Sequence, residues 1–270
     1  MQKFRLDVLL LERQLVESRS QAQRLVMAGK VRVNGELAIK PSVQYPQDSL
    51  IEIIESPKYV SRGGEKLEPA LKAFGLIHLQ EMVCVDVGSS TGGFTDCLLQ
   101  FGAKRVYALD VGYGLLHWKL RQDARVILME RTNARYVNQF PEGIDLVTVD
   151  ASFISLKVLL PVIRGWFLDR GQVIALIKPQ FEAGKADAAK GKGVIRNSEI
   201  HRAVLFDIMK ASNELGYQVN GLILSPITGP KGNKEFLIHL RYPKLIEQAD
   251  YHQMIESVVP LQGSFPSLKP

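Results

Sequence analysis

A run of apolar, mostly β-branched residues passes directly into a glycine-rich turn at Val83-Cys-Val-Asp-Val-Gly-Ser-Ser-Thr-Gly-Gly-Phe94. Glycines at 88, 92 and 93 let a backbone turn tightly and come close to a ligand. A second apolar strand over 106–109 ends at Asp110. An acid about 20 residues beyond such a turn is where these folds hold ribose hydroxyls. The pattern predicts a nucleoside-bearing cofactor contacted by Asp86, Gly88, Ser89, Ser90, Thr91, Gly92, Gly93, Phe94 and Asp110. Asn133, after the third strand, is placed to reach the adenine or its surroundings. A bare strand–helix turn without ligand is the alternative, and the placement of Asp110 argues against it.

Four more charged residues stand at the margins of predicted elements. Asp150 ends the strand Val147-Thr148-Val149, Lys178 follows strand 173–177, and Glu235 directly precedes strand 236–240. Lys66 lies in Gly-Gly-Glu-Lys-Leu, on the helix ahead of the first strand. Singly, each has an ordinary reading. A lysine or glutamate at a strand end is usually solvated, and Asp150 could simply cap the next helix. The four gain meaning because all come from elements around one sheet edge.

The elements that must position them alternate from about residue 65 onward. Helix 65–74 precedes strand 83–87; helix 93–101, strand 106–109, helix 114–121 and strand 126–128 follow. Strand 145–149, helix 155–165, strand 172–177, helix 199–215 and strands 219–224 and 235–241 complete the series. Such alternation predicts a doubly wound α/β sheet, with ligands at the carboxyl ends of its strands. Residues 1–56 form a separate α+β unit: helix 6–13, a second helix capped by Ser20 and ending at Ala28-Gly29, then a hairpin at Asn34-Gly35 and a strand over 49–54. Residues 57–64, with Pro57 and the pair Gly63-Gly64, read as a linker. The main domain then spans 65–243, and the tail 244–270 shows little pattern beyond a short helix, with its last residues mobile.

The glycine spacing separates cofactor classes. A dinucleotide site wants Gly-x-Gly-x-x-Gly, and a nucleotide-hydrolase loop ends in Gly-Lys-Ser/Thr; neither occurs here. Asp-Val-Gly-Ser-Ser-Thr-Gly-Gly-Phe-Thr-Asp instead resembles S-adenosylmethionine-dependent methyltransferases. The set Lys66, Asp150, Lys178 and Glu235 resembles, in chain order, the Lys-Asp-Lys-Glu tetrad of RrmJ/FtsJ-type ribose 2′-O-methyltransferases. That resemblance covers residues 60–241. It implies that Lys178 activates or orients a ribose 2′-hydroxyl, while Asp150 and Glu235 fix the lysines and screen their charge. Methyl transfer from a sulfonium asks for in-line positioning more than for strong acid catalysis. The chain departs from the RrmJ type at Thr91 and Phe94, where Pro and Trp are usual.

Residues 18–35, Ser-Arg-Ser-Gln-Ala-Gln-Arg-Leu-Val-Met-Ala-Gly-Lys-Val-Arg-Val-Asn-Gly, resemble the S4-type RNA-binding domain. Over 19–40 there are five basic residues (Arg19, Arg24, Lys30, Arg32, Lys40) and one acid, Glu36. Arg19, Gln23 and Arg24 share a helix face, while Ala22, Leu25 and Val26 face the core. Together with Arg5 and Arg62 this face suits the phosphates of folded RNA, although a charged helix face is often merely solvated. An S4-type domain, a short linker and an RrmJ-like domain, in that order, resemble the TlyA family, historically labelled hemolysins. Especially close are 59–67, Asp150-Ala-Ser-Phe-Ile-Ser-Leu156 and Lys178-Pro-Gln-Phe-Glu182. Membership implies 2′-O-methylation of cytidines in ribosomal RNA, on the large subunit and sometimes also the small one. The loop 182–197, with Lys185, Lys190, Lys192 and Arg196, reads either as a mobile segment that closes over RNA or as a merely disordered surface loop.

Composition sets the remaining bounds. The 270 residues, 46% apolar, suffice for one large domain and a small one. A net charge of +6 and a pI near 9.2 permit an anionic partner, here ribosomal RNA or ribosomal subunits rather than DNA. No apolar run reaches the length of a membrane span and no signal-peptide core follows the N-terminus, so the expectation is a cytoplasmic protein without a membrane partner. Cys84 and Cys97 read as small buried hydrophobes, and the absence of His/Cys clusters predicts no metal. The competing functions are a membrane-active hemolysin and an RNA-binding protein with a non-catalytic methyltransferase fold.

Overall fold

The computed structural model describes residues 2–54, 57–184, 193–245 and 250–260. The chain divides into two compact units, residues 1–58 and 59–270.

In the first unit, β1 (Lys3–Arg5) leads into α1 (Leu6–Glu12) and α2 (Arg19–Met27), followed by β2 (Val31–Val33), β3 (Glu36–Ala38), β4 (Gln44–Pro46) and β5 (Ile51–Ile53). β2 pairs antiparallel with β3 and β5, and β1 with β4. Asn34 and Gly35 both have positive φ (52° and 85°), as a two-residue hairpin that follows the strands' twist requires. Leu6, Leu10, Val16, Ala22, Val26, Val31, Val33 and Ala38 form the core, with Leu25 packed at its margin. The cap of α2 is Ser18 rather than the expected Ser20. Ser18 alone has the extended backbone a cap needs, and its Oγ accepts the Gln21 N–H at 3.2 Å.

In the second unit the described strands form a seven-stranded sheet. Its strands are β6 (Val83–Val87), β7 (Arg105–Leu109), β8 (Val126–Met129), β9 (Leu146–Val149), β10 (Gly171–Ile177), β11 (Gln218–Leu224) and β12 (Phe236–Tyr242), in the order β11-β12-β10-β9-β6-β7-β8. β6 to β10 are mutually parallel, and β12 runs antiparallel between β10 and β11. Both sheet faces are covered, which is why the strands are almost continuously apolar. One core takes Leu67, Ala70 and Leu71 of α3 (Arg62–Ala73) and Cys97 and Leu98 of α4 (Gly93–Gln100). The other takes Leu159, Leu160 and Ile163 of α6 (Leu156–Arg164) and Leu205, Ile208 and Met209 of α8 (Ser198–Glu214), with Ile255 of α9 (Tyr251–Val258). This is the doubly wound α/β fold that the alternation predicts.

Two local expectations change. The helix expected over 114–121 contracts to one turn, α5 (Trp118–Arg121), because Gly114 takes φ +72° and His117 caps the turn behind it. The pair Gly63-Gly64, expected in a linker, occupies the first turn of α3, capped by Ser61. Their smallness serves packing. A Cβ on Gly64 would stand 2.2 Å from the Tyr59 ring, and one on Gly93 would stand 2.9 Å from the Gly63 Cα. α3 and α4 therefore meet with almost no side chain between them. The tail beyond 260 and Lys185, Lys190 and Lys192 of the basic loop lie outside the described residues.

Candidate functional site

The cofactor turn is shaped by backbone contacts. Gly88 has φ +82°, and its N–H and that of Ser89 both reach the Leu109 carbonyl, at 2.8 and 3.1 Å. Asp110, one residue beyond β7, turns its carboxylate back on the turn: Oδ2 accepts the Ser90 N–H at 2.8 Å and Oδ1 the Gly112 N–H at 2.7 Å. The two positions picked out by sequence spacing are therefore physically joined. Beside them opens a cavity of about 490 Å³, lined by Gly88, Ser90, Asp110, Asn133 and Asp150 together with the apolar side chains of Val87, Leu109, Leu115, Ile154 and Leu159. An apolar wall with a few convergent polar groups suits a nucleoside. Asn133 also caps the turn Ala134–Tyr136, its Oδ1 accepting from the Arg135 N–H at 3.1 Å.

A smaller hollow of about 220 Å³ shares Gly88, Ser90 and Asp150 with that cavity, and adds Ser89, Gly93, Phe94, Lys66 and Arg62. Three of the expected cofactor residues line neither space. Gly92 (φ +100°) leaves room for packing, since a Cβ there would stand 2.3 Å from Leu120 and 2.8 Å from Leu116. The Thr91 carbonyl accepts the His117 N–H. Asp86 is fully buried beneath the turn, accepting from Thr95 Oγ1 at 2.6 Å and Thr148 Oγ1 at 3.1 Å; burial pushes its carboxyl up to about 7. Asp86 thus ties β6 to α4 and β9 from within.

Around the hollow stand two lysine–carboxylate pairs. Lys66 Nζ lies 2.6 Å from Glu235 Oε2, and Lys178 Nζ lies 2.6 Å from Asp150 Oδ1. Strand register sets this. Ile177 is opposite Phe236 across the β10–β12 pair, so the residue after one strand and the residue before the other, Lys178 and Glu235, end at the same edge. Asp150 leaves β9 beside them, and α3 brings Lys66 across. Lys178 also donates to Ser152 Oγ at 3.0 Å and to the Asp150 carbonyl at 3.3 Å. The capping alternative for Asp150 does not occur, because Ser155 caps α6. Lys66 and Asp150 face the hollow, while Lys178 and Glu235 are bonded behind them.

Sequence reasoning gave no role to Ser152, Phe153 or Arg135, all of which line the larger cavity. Phe153 is 89% exposed with φ +64°, and its ring lies 4.8 Å from that of Phe181. A large aromatic held out at a cavity mouth in a strained conformation is a candidate contact for a bound molecule. The available signal was the short Asp-Ala-Ser-Phe stretch itself.

In the first unit, three of the basic-face residues converge on one buried acid. Arg5 Nε, Arg19 Nε and Gln23 Nε2 reach the Asp7 carboxylate at 3.0, 2.9 and 2.8 Å. Burial alone raises the Asp7 carboxyl, but these hydrogen bonds outweigh it and hold the group well below the usual carboxylate range. Both guanidinium groups remain half exposed, and Arg24 and Arg32 are exposed nearby in sequence. Lys30 is half-buried, and Arg62 belongs to the second unit, on α3.

A doubly wound sheet with an apolar-walled cavity at its carboxyl edge and a paired lysine–carboxylate set beside it defines a methyltransferase of the Rossmann-like class. Residues 59–242 match the FtsJ-like methyltransferase family, and residues 4–48 match the S4 domain. The chain is 49% identical over 245 residues to YqxC of Bacillus subtilis (89% of this chain, 86% of that one). It is 42% identical over 245 residues to the 16S/23S rRNA (cytidine-2′-O)-methyltransferase TlyA of Mycobacterium tuberculosis (88% of this chain, 90% of that one). A solved structure from Streptococcus thermophilus, described as a hemolysin, superimposes with a TM-score of 0.72 at 46% identity, covering 96% of this chain and 95% of that one. The chain belongs to the FtsJ-like methyltransferase family and, within it, to the TlyA proteins that carry an S4 domain.

Proposed function

We propose that the protein transfers a methyl group from S-adenosylmethionine to the ribose 2′-hydroxyl of a cytidine in ribosomal RNA, in the cytoplasm. The observation that carries this reading is the pair of 2.6 Å lysine–carboxylate contacts around a hollow that shares Gly88, Ser90 and Asp150 with the larger cavity. The cavity's residues fit the cofactor: apolar walls for the purine, the Asp110 carboxylate for the ribose hydroxyls, and a glycine whose Cβ would have no room. When bound, S-adenosylmethionine supplies an electrophilic methyl group.

The protein's part is orientation. Lys178 is held by three oxygen partners, so its ammonium has a fixed direction. A ribose hydroxyl entering the hollow beside Asp150 replaces one of these partners; its oxygen is then aimed at the methyl group and its proton faces the Asp150 carboxylate, which accepts it as the new C–O bond forms. Asp150 and Glu235 keep the two lysines nearly neutral as pairs, which lets both remain buried. The S4 domain supports a folded RNA as substrate, and the name of the Mycobacterium tuberculosis relative supports ribosomal RNA and cytidine. No described helix is long and apolar enough to cross a membrane, and nothing in the site favours the hemolysin reading.

The test is transfer of a labelled methyl group to isolated ribosomal subunits, with the modified ribose mapped by resistance to alkaline cleavage. Wild type is expected to mark a cytidine, and Lys178→Ala to lose at least 100-fold in rate. Full activity in Lys178→Ala, or label on a base instead of a ribose, overturns the reading.

A further inference from the structure

The two loops that deliver Asp150 and Lys178 to the site are fastened to each other at three levels. Nearest the hollow are the Lys178 bonds to Asp150 and Ser152. One step out, the rings of Phe153 and Phe181 meet at 4.8 Å. Farthest out, the Glu182 carboxylate grips the start of α6: Ser155 Oγ donates to Oε2 at 2.5 Å and the Leu156 N–H donates to Oε1 at 2.8 Å. The Glu182 carboxylate thus occupies the N-terminus of a helix that begins in the other loop, where two free N–H and O–H donors await an acceptor. Its own loop is one helical turn, α7 (Pro179–Glu182), locked by Pro179 at its first position and by the Phe181 N–H on the Lys178 carbonyl at 2.8 Å. Lys178 at one end of this turn and Glu182 at the other therefore move as one piece. None of these contacts is made by residues 88–94 of the cofactor turn, although Ser152 and Phe153 also line the larger cavity.

We infer that Glu182 is a positioning residue for methyl transfer: by clamping α7 to the start of α6, it fixes Lys178 against Asp150 in the geometry that aims the acceptor hydroxyl. This rests on the assignment of Lys178 and Asp150 to the reaction. Removing the clamp leaves both reacting residues present but lets one loop drift against the other, and a displacement of about 1 Å at an aligned centre costs on the order of 100-fold in rate. Cofactor binding uses Gly88 and Asp110, just beyond β6 and β7, and the 150–154 loop, which the backbone of Gly88 also holds; α7, the element the clamp secures, lines neither space.

The experiment compares Glu182→Ala, Glu182→Gln, Ser155→Ala and Lys178→Ala in the full chain. It measures kcat and KM on ribosomal subunits, cofactor affinity by calorimetry, and melting temperature. Glu182→Ala is expected to lower kcat 10- to 100-fold, with cofactor affinity within twofold of wild type. Glu182→Gln is expected to recover most of the rate, because its amide oxygen still accepts from Leu156 and the Ser155 hydroxyl can turn to accept from the amide. A purely structural role would lower the melting temperature of Glu182→Ala and leave kcat of the folded enzyme unchanged, and that result overturns the inference. Should Glu182→Ala fail to fold, Ser155→Ala decides: a kcat equal to wild type overturns the clamp, and a several-fold loss supports it. If Lys178→Ala keeps full activity, the catalytic assignment falls instead, and the two failures are thereby told apart.

Discussion

A methyl group on Gly88 would stand 2.9 Å from the carbonyl oxygen of Asp150, so the cofactor turn and the strand end that carries the proposed reacting acid touch through bare backbone. Gly88 also sits at φ +82°, which side chains rarely adopt.

Gly88→Ala should therefore fail twice. Strain and the clash with Asp150 are expected to cost about 2 kcal/mol, a drop of roughly 4–8 °C in melting temperature for a unit of this size. Cofactor affinity should fall at least tenfold, read by calorimetry at a temperature where the variant is folded. A variant that melts normally and binds normally would place the cofactor elsewhere.

The Lys66–Glu235 pair is buried, with Glu235 only 2% exposed. Glu235→Ala leaves the lysine without its partner and should cost about 3 kcal/mol, because an uncompensated buried charge is worse than no charge. Lys66→Met combined with Glu235→Leu should recover much of that loss in thermal melts and still lack activity. Recovery of methyl transfer in the double variant would remove the pair from the reaction.

Asp7 makes the first unit acid-sensitive. Its folded carboxyl titrates well below the unfolded value of about 3.9. The stability it contributes is thus fully present above about pH 4 and is lost as pH falls toward the folded value. Hydrogen exchange of the full chain should show α1 and α2 opening first under acid. Asp7→Asn should flatten that dependence while weakening the unit at neutral pH. Equal acid sensitivity in both proteins would show that the Arg5–Asp7–Arg19 cluster is not responsible.

His239 gives the second unit an acid dependence of its own, at higher pH. It is buried against Phe74, with Nε2 2.9 Å from Gln172 Oε1, and burial, aided by Arg241, pulls its imidazole down to about 4. The unfolded chain takes up a proton near pH 6.5 while the fold resists it, so stability falls as pH drops between those values. By pH 5 the loss amounts to about 2 kcal/mol relative to pH 7.5. His239→Gln should remove most of this slope, measured as the difference in melting temperature between the two pH values.

The strands and helices of the second unit were legible because burial on both sheet faces forces nearly unbroken apolar runs, as in Val83–Val87 and Gly171–Ile177. The glycine turn and Asp110 were legible because backbone conformation dictates one and ligand chemistry the other. What was hidden depends on packing partners. Gly63 and Gly64 look like a flexible linker until Gly93 is seen against them, and Gly92 looks like a ligand contact until Leu116 and Leu120 fill the space above it. Asp86 reads as a cofactor acid, yet two threonine hydroxyls from other elements already occupy it. Likewise Arg5, Arg19 and Gln23 read as a free basic face, and only the fold shows Asp7 between them. Glu182 stood out only as the end of Lys178-Pro-Gln-Phe-Glu182, and its contacts were hidden because its partners, Ser155 and Leu156, lie 27 and 26 residues away.

The antiparallel entry of β12 fixes when this enzyme can first exist. Lys66 and Glu235 are 169 residues apart, and the later of the two arrives at the sheet edge only as β12 inserts between β10 and β11. The amino-terminal S4 unit and strands β6 to β9 emerge from the ribosome long before that, since domains fold in order of synthesis. A nascent chain therefore completes its S4 unit first and its Lys66–Glu235 pair last. A chain that stops before residue 235 lacks both Glu235 and β12, and so forms neither the ion pair nor the complete sheet.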